Sequence, residues 1–429
     1  VPVRLSRPRW AAGVLAAGLT LTACAPGEPI RATPAVTSAT EPGPGTPGAD
    51  ESTGDTYGWV EGAVEMTEPP LRLAVVAPDG TTTGIDLLTG DPVDLPDLPA
   101  PTTVSTDGRY LFATSASGLT VLDGGAWTVP HGDHSHYYLA EPRLVGEIDG
   151  AGATATTSRV AVTDPAGGTA TVLDGTALGT GTVVPVAEVT DVPADGLLVP
   201  LGDHLVQTVA GGPDTAPDTV RVLDGAGAPV AGAEIACPAA AGTITSRVGV
   251  VVGCADGAVL AVADTEGGGP VSLEHIAYPT AVSAAERATV FRARKDRPVV
   301  AAVAGDRGAW ILDTRERTWS LLETDEPLVA VTAVDDRDHA VVAVDRSGRI
   351  LVLDAETGAT TATTDPLLAA SLADPALATA VTLEVDAARA YVNDPAGRRL
   401  LEIDHGDGGR ISREFPTPAV PMFFAELGR

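Results

Sequence analysis

The sequence predicts an all-β chain folded as a β-propeller, with eight blades as the leading count and seven as the alternative. Three observations carry this. A short apolar run ending in aspartate recurs eight times, at Asp86, Asp123, Asp174, Asp224, Asp264, Asp313, Asp354 and Asp404, with intervals of 37, 51, 50, 40, 49, 41 and 50 residues. A second apolar run precedes most of these, such as RYLFATSA (109–116) and HAVVAVD (339–345). No segment shows the apolar period of an amphipathic helix of useful length.

The elements follow in chain order. Arg4, Arg7 and Arg9 precede the apolar run AAGVLAAGLTLTA (11–23), which is shorter than the roughly 20 residues a membrane-spanning helix needs and has the composition of an export signal. Its end, Leu21-Thr22-Ala23-Cys24, resembles the lipobox of bacterial lipoproteins. Residues 1–23 are therefore expected to be a signal peptide and Cys24 the lipidated residue. That places the protein in the cell envelope, anchored by lipid alone on the extracytoplasmic face of the membrane. Residues 24–56, rich in Pro, Thr and Gly and without hydrophobic period, read as a disordered tether. Residues 57–429 form the propeller domain.

Charge narrows the function. With 57 acidic against 27 basic side chains and a net charge of −30, the surface repels phosphate backbones and anionic lipid, which excludes nucleic-acid binding. Beyond Cys24 the chain has two cysteines, Cys237 and Cys254. An even pair in an oxidising compartment reads as a disulfide, with a cysteine-based metal site as the alternative.

The second repeat shows the expected blade grammar. TTVSTDG (102–108) serves as strand a, RYLFATSA as b, GLTVLD (118–123) as c and AWTV (126–129) as d. The C-terminal segment 422–427 is a candidate for closing the ring against the first blade. On this assignment HGDHSHYY (131–138) is a connection from strand d to the next strand a, at the mouth of the channel on the face that commonly carries ligands. His275 falls on the same face, His204 and His339 fall on the opposite one, and His405 occupies a peripheral turn.

Three of the seven histidines lie within six residues, beside a carboxylate. Imidazole nitrogens suit zinc, copper or nickel, and a carboxylate can ligate or orient. The candidate ligands are His131, Asp133, His134 and His136, with His275 available to complete the set. His134 and His136, two apart in an extended segment, face the same way.

HGDHSHYY, together with the lipobox, the last blade TLEVDAARAYVNDPAGRRLLEIDHGDGGRISREF (382–415) and the terminal VPMFFAELGR (420–429), resembles the zinc metallochaperones of the AztD type. The resemblance spans 57–429. It implies zinc as cargo, and as partner the substrate-binding protein of a zinc ABC importer. His131, His134 and His136, with Asp133, carry over as ligands. It also implies a histidine just after a Cys-Pro pair, where this chain reads Cys237-Pro238-Ala239-Ala240-Ala241. A missing ligand there lowers affinity or recruits His275.

Two other classes compete with a delivery protein. An enzyme would need a general base beside the metal, and no GxSxG, HExxH or P-loop is present; the expectation is that the protein is not an enzyme. A metal-free scaffold would use its acidic face for contact alone. The repeated aspartates read as turn elements and not as catalytic carboxylates.

Overall fold

In the computed structural model, residues 58–131, 134–212, 215–264 and 269–429 are described. The signal peptide, Cys24 and the tether expected over 24–56 lie outside them. Among the described residues are eight four-stranded antiparallel sheets and one three-stranded sheet. Helices in the described residues are confined to Gly175–Gly179, Ala369–Ala373 and Pro375–Ala378. The protein is a β-propeller.

Each sheet runs a–b–c–d in strand order, and the apolar runs of the repeat become its strands b and c, some of them buried on both faces. Val250–Cys254 and Ala340–Asp345 are buried at every position. An apolar layer fills every junction between consecutive sheets, beginning with Ala74 against Leu111. The eighth layer, where Leu73 and Phe424 meet Tyr391 and Phe415, joins the last sheet back to the first. The ring is closed by strand pairing as well. Phe423–Leu427 is strand a of the first sheet, paired antiparallel with Arg72–Val76. Both chain ends of the ring thus share one sheet, so it cannot open there without breaking that ladder.

The recurring aspartates stand at the ends of the c strands and fold the turns that follow. Asp86 accepts from the backbone N–H groups of Leu88 and Thr89. Asp313 does so from Arg315 and Glu316, and Asp354 from Glu356 and Thr357. A carboxylate two residues before the turn mimics a backbone acceptor, which is why the repeat retains Asp at this point.

Cys237 and Cys254 form a disulfide between the fourth and fifth sheets, both sulfurs in the apolar layer. Closing a 17-residue interval removes chain entropy from the unfolded state, stabilising the fold by about 3 kcal/mol. Replacing both residues with alanine is therefore expected to lower the unfolding free energy in a urea titration by about that amount. A change under about 1 kcal/mol would show that the cross-link adds little beyond packing.

One blade departs from the expected grammar. AWTV is not strand d of the second sheet. Ala126–His131 pairs with His134–Leu139 to form a hairpin, and strand d is Arg143–Ile148, which pairs with Gly118–Asp123. The hairpin is an insertion between strands c and d. Strand direction alternates, so it emerges on the face of the a-to-b turns, opposite the d-to-a connections where the sequence had placed it. Contacts agree: Thr128 Oγ1 donates to the carbonyl of Gly428, at the exit of a strand a.

His405 does occupy a turn between strands c and d, but it is buried rather than peripheral. Burial holds its imidazole below the ordinary value of 6.5, against the opposing pull of Asp336, Asp386 and Asp404. The neutral ring is the folded form. Stability is full above pH 6.5 and falls as pH drops from there through the depressed value, because the unfolded chain takes up the proton first. Denaturant titrations across this window should show that fall, and His405→Leu should flatten it; an unchanged slope would remove His405 as the cause.

Candidate metal centre

The hairpin brings the three imidazoles together by strand geometry alone. His131 and His134 are register partners, and His136 lies two residues further on, so all three side chains share one face of the ribbon. Ring centroids are separated by 5.0 Å for His131–His134, 5.6 Å for His131–His136 and 5.0 Å for His134–His136. One nitrogen from each lies within 4.8 Å of the other two. His131 Nδ1 and His134 Nε2 are 3.4 Å apart, close to the edge of about 3.3 Å that two nitrogens at 2.0–2.1 Å span on a tetrahedral ion. His134 is exposed, and His131 and His136 are half-buried. Asp133 lies outside the described residues.

A fourth group comes from far away in the chain. The strand Val64–Met66 adds to the free edge of His134–Leu139, with Glu65 opposite Tyr138. From there Glu65 Oε1 lies 2.7 Å from His136 Nδ1. A carboxylate on the second ring nitrogen fixes the tautomer and raises the basicity of the other nitrogen toward a cation. Glu65→Ala is expected to weaken zinc binding roughly 10- to 100-fold, read by competition with a chromophoric chelator; an unchanged affinity would make Glu65 a surface contact only.

The other end of the ribbon is anchored to the ring. His136 stacks on Tyr138 at 6.3 Å and 10°, and Tyr138 packs against Trp127 at 5.4 Å. Beneath Trp127 sits the Arg109 guanidinium, 3.7 Å from the ring centroid. Two hydrogen bonds to Asp123 hold that guanidinium. Burial opposes its charge, but the Asp123 carboxylate outweighs burial and raises its pKa. Trp127 Nε1 donates to the carbonyl of Gly58. A column of side chains therefore runs from the second sheet to the imidazoles. Gly124 and Gly125 let the chain leave strand c at this point. A Cβ on Gly124 would lie 2.3 Å from Leu427 Cδ1, and Gly125, at φ +70°, would bring one 2.3 Å from the Ala140 carbonyl oxygen.

His275 does not join this centre. It lies on strand d of the fifth sheet, Ser272–Ala277, with Nε2 2.9 Å from Asp256 Oδ1 in a b-to-c turn. That turn belongs to the opposite face. The alanines 239–241 are also remote from the imidazoles, in a d-to-a connection. The carbonyl of Ala239 accepts from Arg287 there, so those alanines subtract no donor from the hairpin. The cavity of about 310 Å³ in the ring, lined by residues such as Thr289, Arg292 and Val331, is not lined by any hairpin residue.

Sequence reasoning missed Glu65 and the hairpin itself. The spacing gave no signal for the hairpin, because the interval of 51 residues between Asp123 and Asp174 matches intervals of 50, 49 and 50 that hold no inserted hairpin. For Glu65 no local signal exists.

No family model and no curated protein sequence matches the chain. Solved structures do. AztD of Citrobacter koseri superposes with a TM-score of 0.70 at 20% identity, covering 83% of this chain and 97% of that one. The apo form of the same protein gives 0.68 at 18% identity, covering 83% and 98%. The dihydro-heme d1 dehydrogenase NirN in complex with DHE gives 0.51 at 15% identity, covering 84% and 75%. At such identities the likeness is one of fold. In its fold, along 83% of its length, this chain is similar to AztD.

Proposed function

We propose that the protein is an extracytoplasmic zinc-binding metallochaperone that hands zinc to the substrate-binding protein of an ABC importer. The observation that carries this is the half-exposed triad His131, His134 and His136 on one face of a hairpin that stands off the ring. Three neutral imidazoles make a good zinc donor set, and a fourth position stays available to water or to an incoming ligand. Zinc held at a projecting ribbon can be taken by ligand exchange, since a partner's donor reaches the ion before the last imidazole leaves. The similarity of fold to AztD supports the reading. So does the segment ending at Cys24, which resembles a lipobox and is expected to tether the domain where an importer's binding protein works.

Binding fits the site better than catalysis. A zinc with three histidines and an open position can also activate water. A hydrolase needs a substrate pocket around that water, and this ribbon presents its imidazoles at an exposed edge.

The test is transfer. Zinc-loaded protein mixed with the apo substrate-binding protein of a zinc ABC importer should lose its ion faster than it does to a small chelator of equal affinity. Equal rates for the two acceptors would mean release into solution and would refute direct delivery.

A further inference from the structure

We propose that Cys237, Cys254, Asp256 and His275 form a second cation site, closed while the disulfide is intact and opened by its reduction. Nothing in this depends on the hairpin, which lies on the other face of the ring.

Cys254, Asp256 and His275 each present a donor atom within 4.8 Å of the other two. The Cys254 sulfur is committed to Cys237, so in the oxidised protein it has no thiolate to give. Reduction changes the donor set from one imidazole and one carboxylate to those two plus two thiols. A Cys₂-His-Asp set is four donors of the kinds zinc takes in tetrahedral sites. Four separate positions supply them. Cys254 ends strand b of the fifth sheet, Asp256 occupies the turn after it, and His275 lies on strand d. Cys237 follows strand d of the fourth sheet.

The geometry leaves little to move. His275 Nε2 and Asp256 Oδ1 are already 2.9 Å apart, a few tenths under the tetrahedral edge. Their side chains are 26% and 58% exposed, so both can shift and an ion can enter from solvent past them. The sulfurs are buried in the apolar layer and must part to about 3.8 Å, the edge set by two zinc–sulfur bonds of 2.3 Å.

The redox step balances with a dithiol as reductant. Its two thiols supply two electrons and two protons, the Cys237–Cys254 bond breaks, and the reductant closes to its own disulfide. The two cysteine thiols then give up their protons as the cation binds. Reoxidation by a disulfide reverses this: the oxidant takes two electrons from the thiolates and two protons from water to become a dithiol, the Cys237–Cys254 bond forms, and the loss of two of the four donors ejects the ion. The pair is thus a cation site in reducing conditions and a structural cross-link in oxidising ones.

The experiment uses the described domain carrying His131→Ala, His134→Ala and His136→Ala, so that the hairpin contributes nothing. The protein is reduced with a water-soluble phosphine, freed of it anaerobically, loaded with zinc or cadmium and desalted. The reduced protein should retain close to one ion per chain more than the oxidised protein. Cadmium should give thiolate charge-transfer absorption. Adding His275→Ala should remove at least nine-tenths of the gain. In the reduced wild-type protein, zinc should slow alkylation of both cysteines at least tenfold, a readout that survives if the variant folds poorly. No extra ion on reduction, or a gain untouched by His275→Ala and by Asp256→Ala, overturns the proposal.

Discussion

Alanine at His131, His134 and His136 together is expected to abolish zinc retention in the oxidised protein while leaving the ring folded. On the proposed reading, each imidazole would supply one of three zinc bonds on the same ribbon face. Among the described residues, removing all three leaves the exposed carboxylate of Glu65, which lies against His136, as a remaining donor. One carboxylate in water does not hold a transition-metal ion against desalting. Single substitutions should grade the loss. His136→Ala should cost most, because it also strands Glu65 and removes the ring stacked on Tyr138. The hairpin contributes to none of the eight apolar layers, so circular dichroism and the denaturation midpoint should change little. Full zinc retention in the triple variant would move the site elsewhere on the molecule.

Trp127→Ala is expected to have the largest effect of any substitution that touches no ligand. Trp127 is 4% exposed, gripped between the Arg109 guanidinium and Tyr138, and hydrogen-bonded to Gly58. Truncating a buried tryptophan costs about 3–5 kcal/mol. Here the cost falls on the hairpin and on the 58–66 segment, not on the ring. A ribbon of two strands with one short third strand has little else to hold its register. The prediction is local opening: faster hydrogen exchange over 126–139, and zinc affinity lowered by at least 100-fold as the imidazoles lose their common face. The melting of the ring should shift far less. Unaltered exchange in the hairpin together with wild-type affinity would show that the side-chain column is not what positions the imidazoles.

Much of the ring was legible in the sequence because a propeller writes its period locally. Strands b and c, the turn aspartates after them and the closing strand near 422–427 all follow from short apolar runs and their spacing, and Phe423–Leu427 pairs with Arg72–Val76 as that reading allowed. Pairing partners are not written locally. AWTV alternates as a strand d would, and only its pairing with His134–Leu139 distinguishes a hairpin from a blade edge. That single reassignment turned the histidines to the other face and separated them from His275. The cluster itself survived the error, because residues two apart in a strand share a face whichever strand they occupy. Glu65 was not legible at all. It reaches His136 from 71 positions away, through a strand of three residues. The cysteine pairing followed from compartment chemistry and count, and the structure joins the two sulfurs.

The measurement that bears most directly on the hairpin as a zinc site is X-ray absorption at the zinc edge of the oxidised, zinc-loaded domain. The expected spectrum shows nitrogen and oxygen scatterers alone at about 2.0–2.1 Å, outer-shell scattering from three imidazoles, and loss of that signature in the triple histidine variant. A first shell containing sulfur at about 2.3 Å, or one with fewer than two imidazoles, would contradict it.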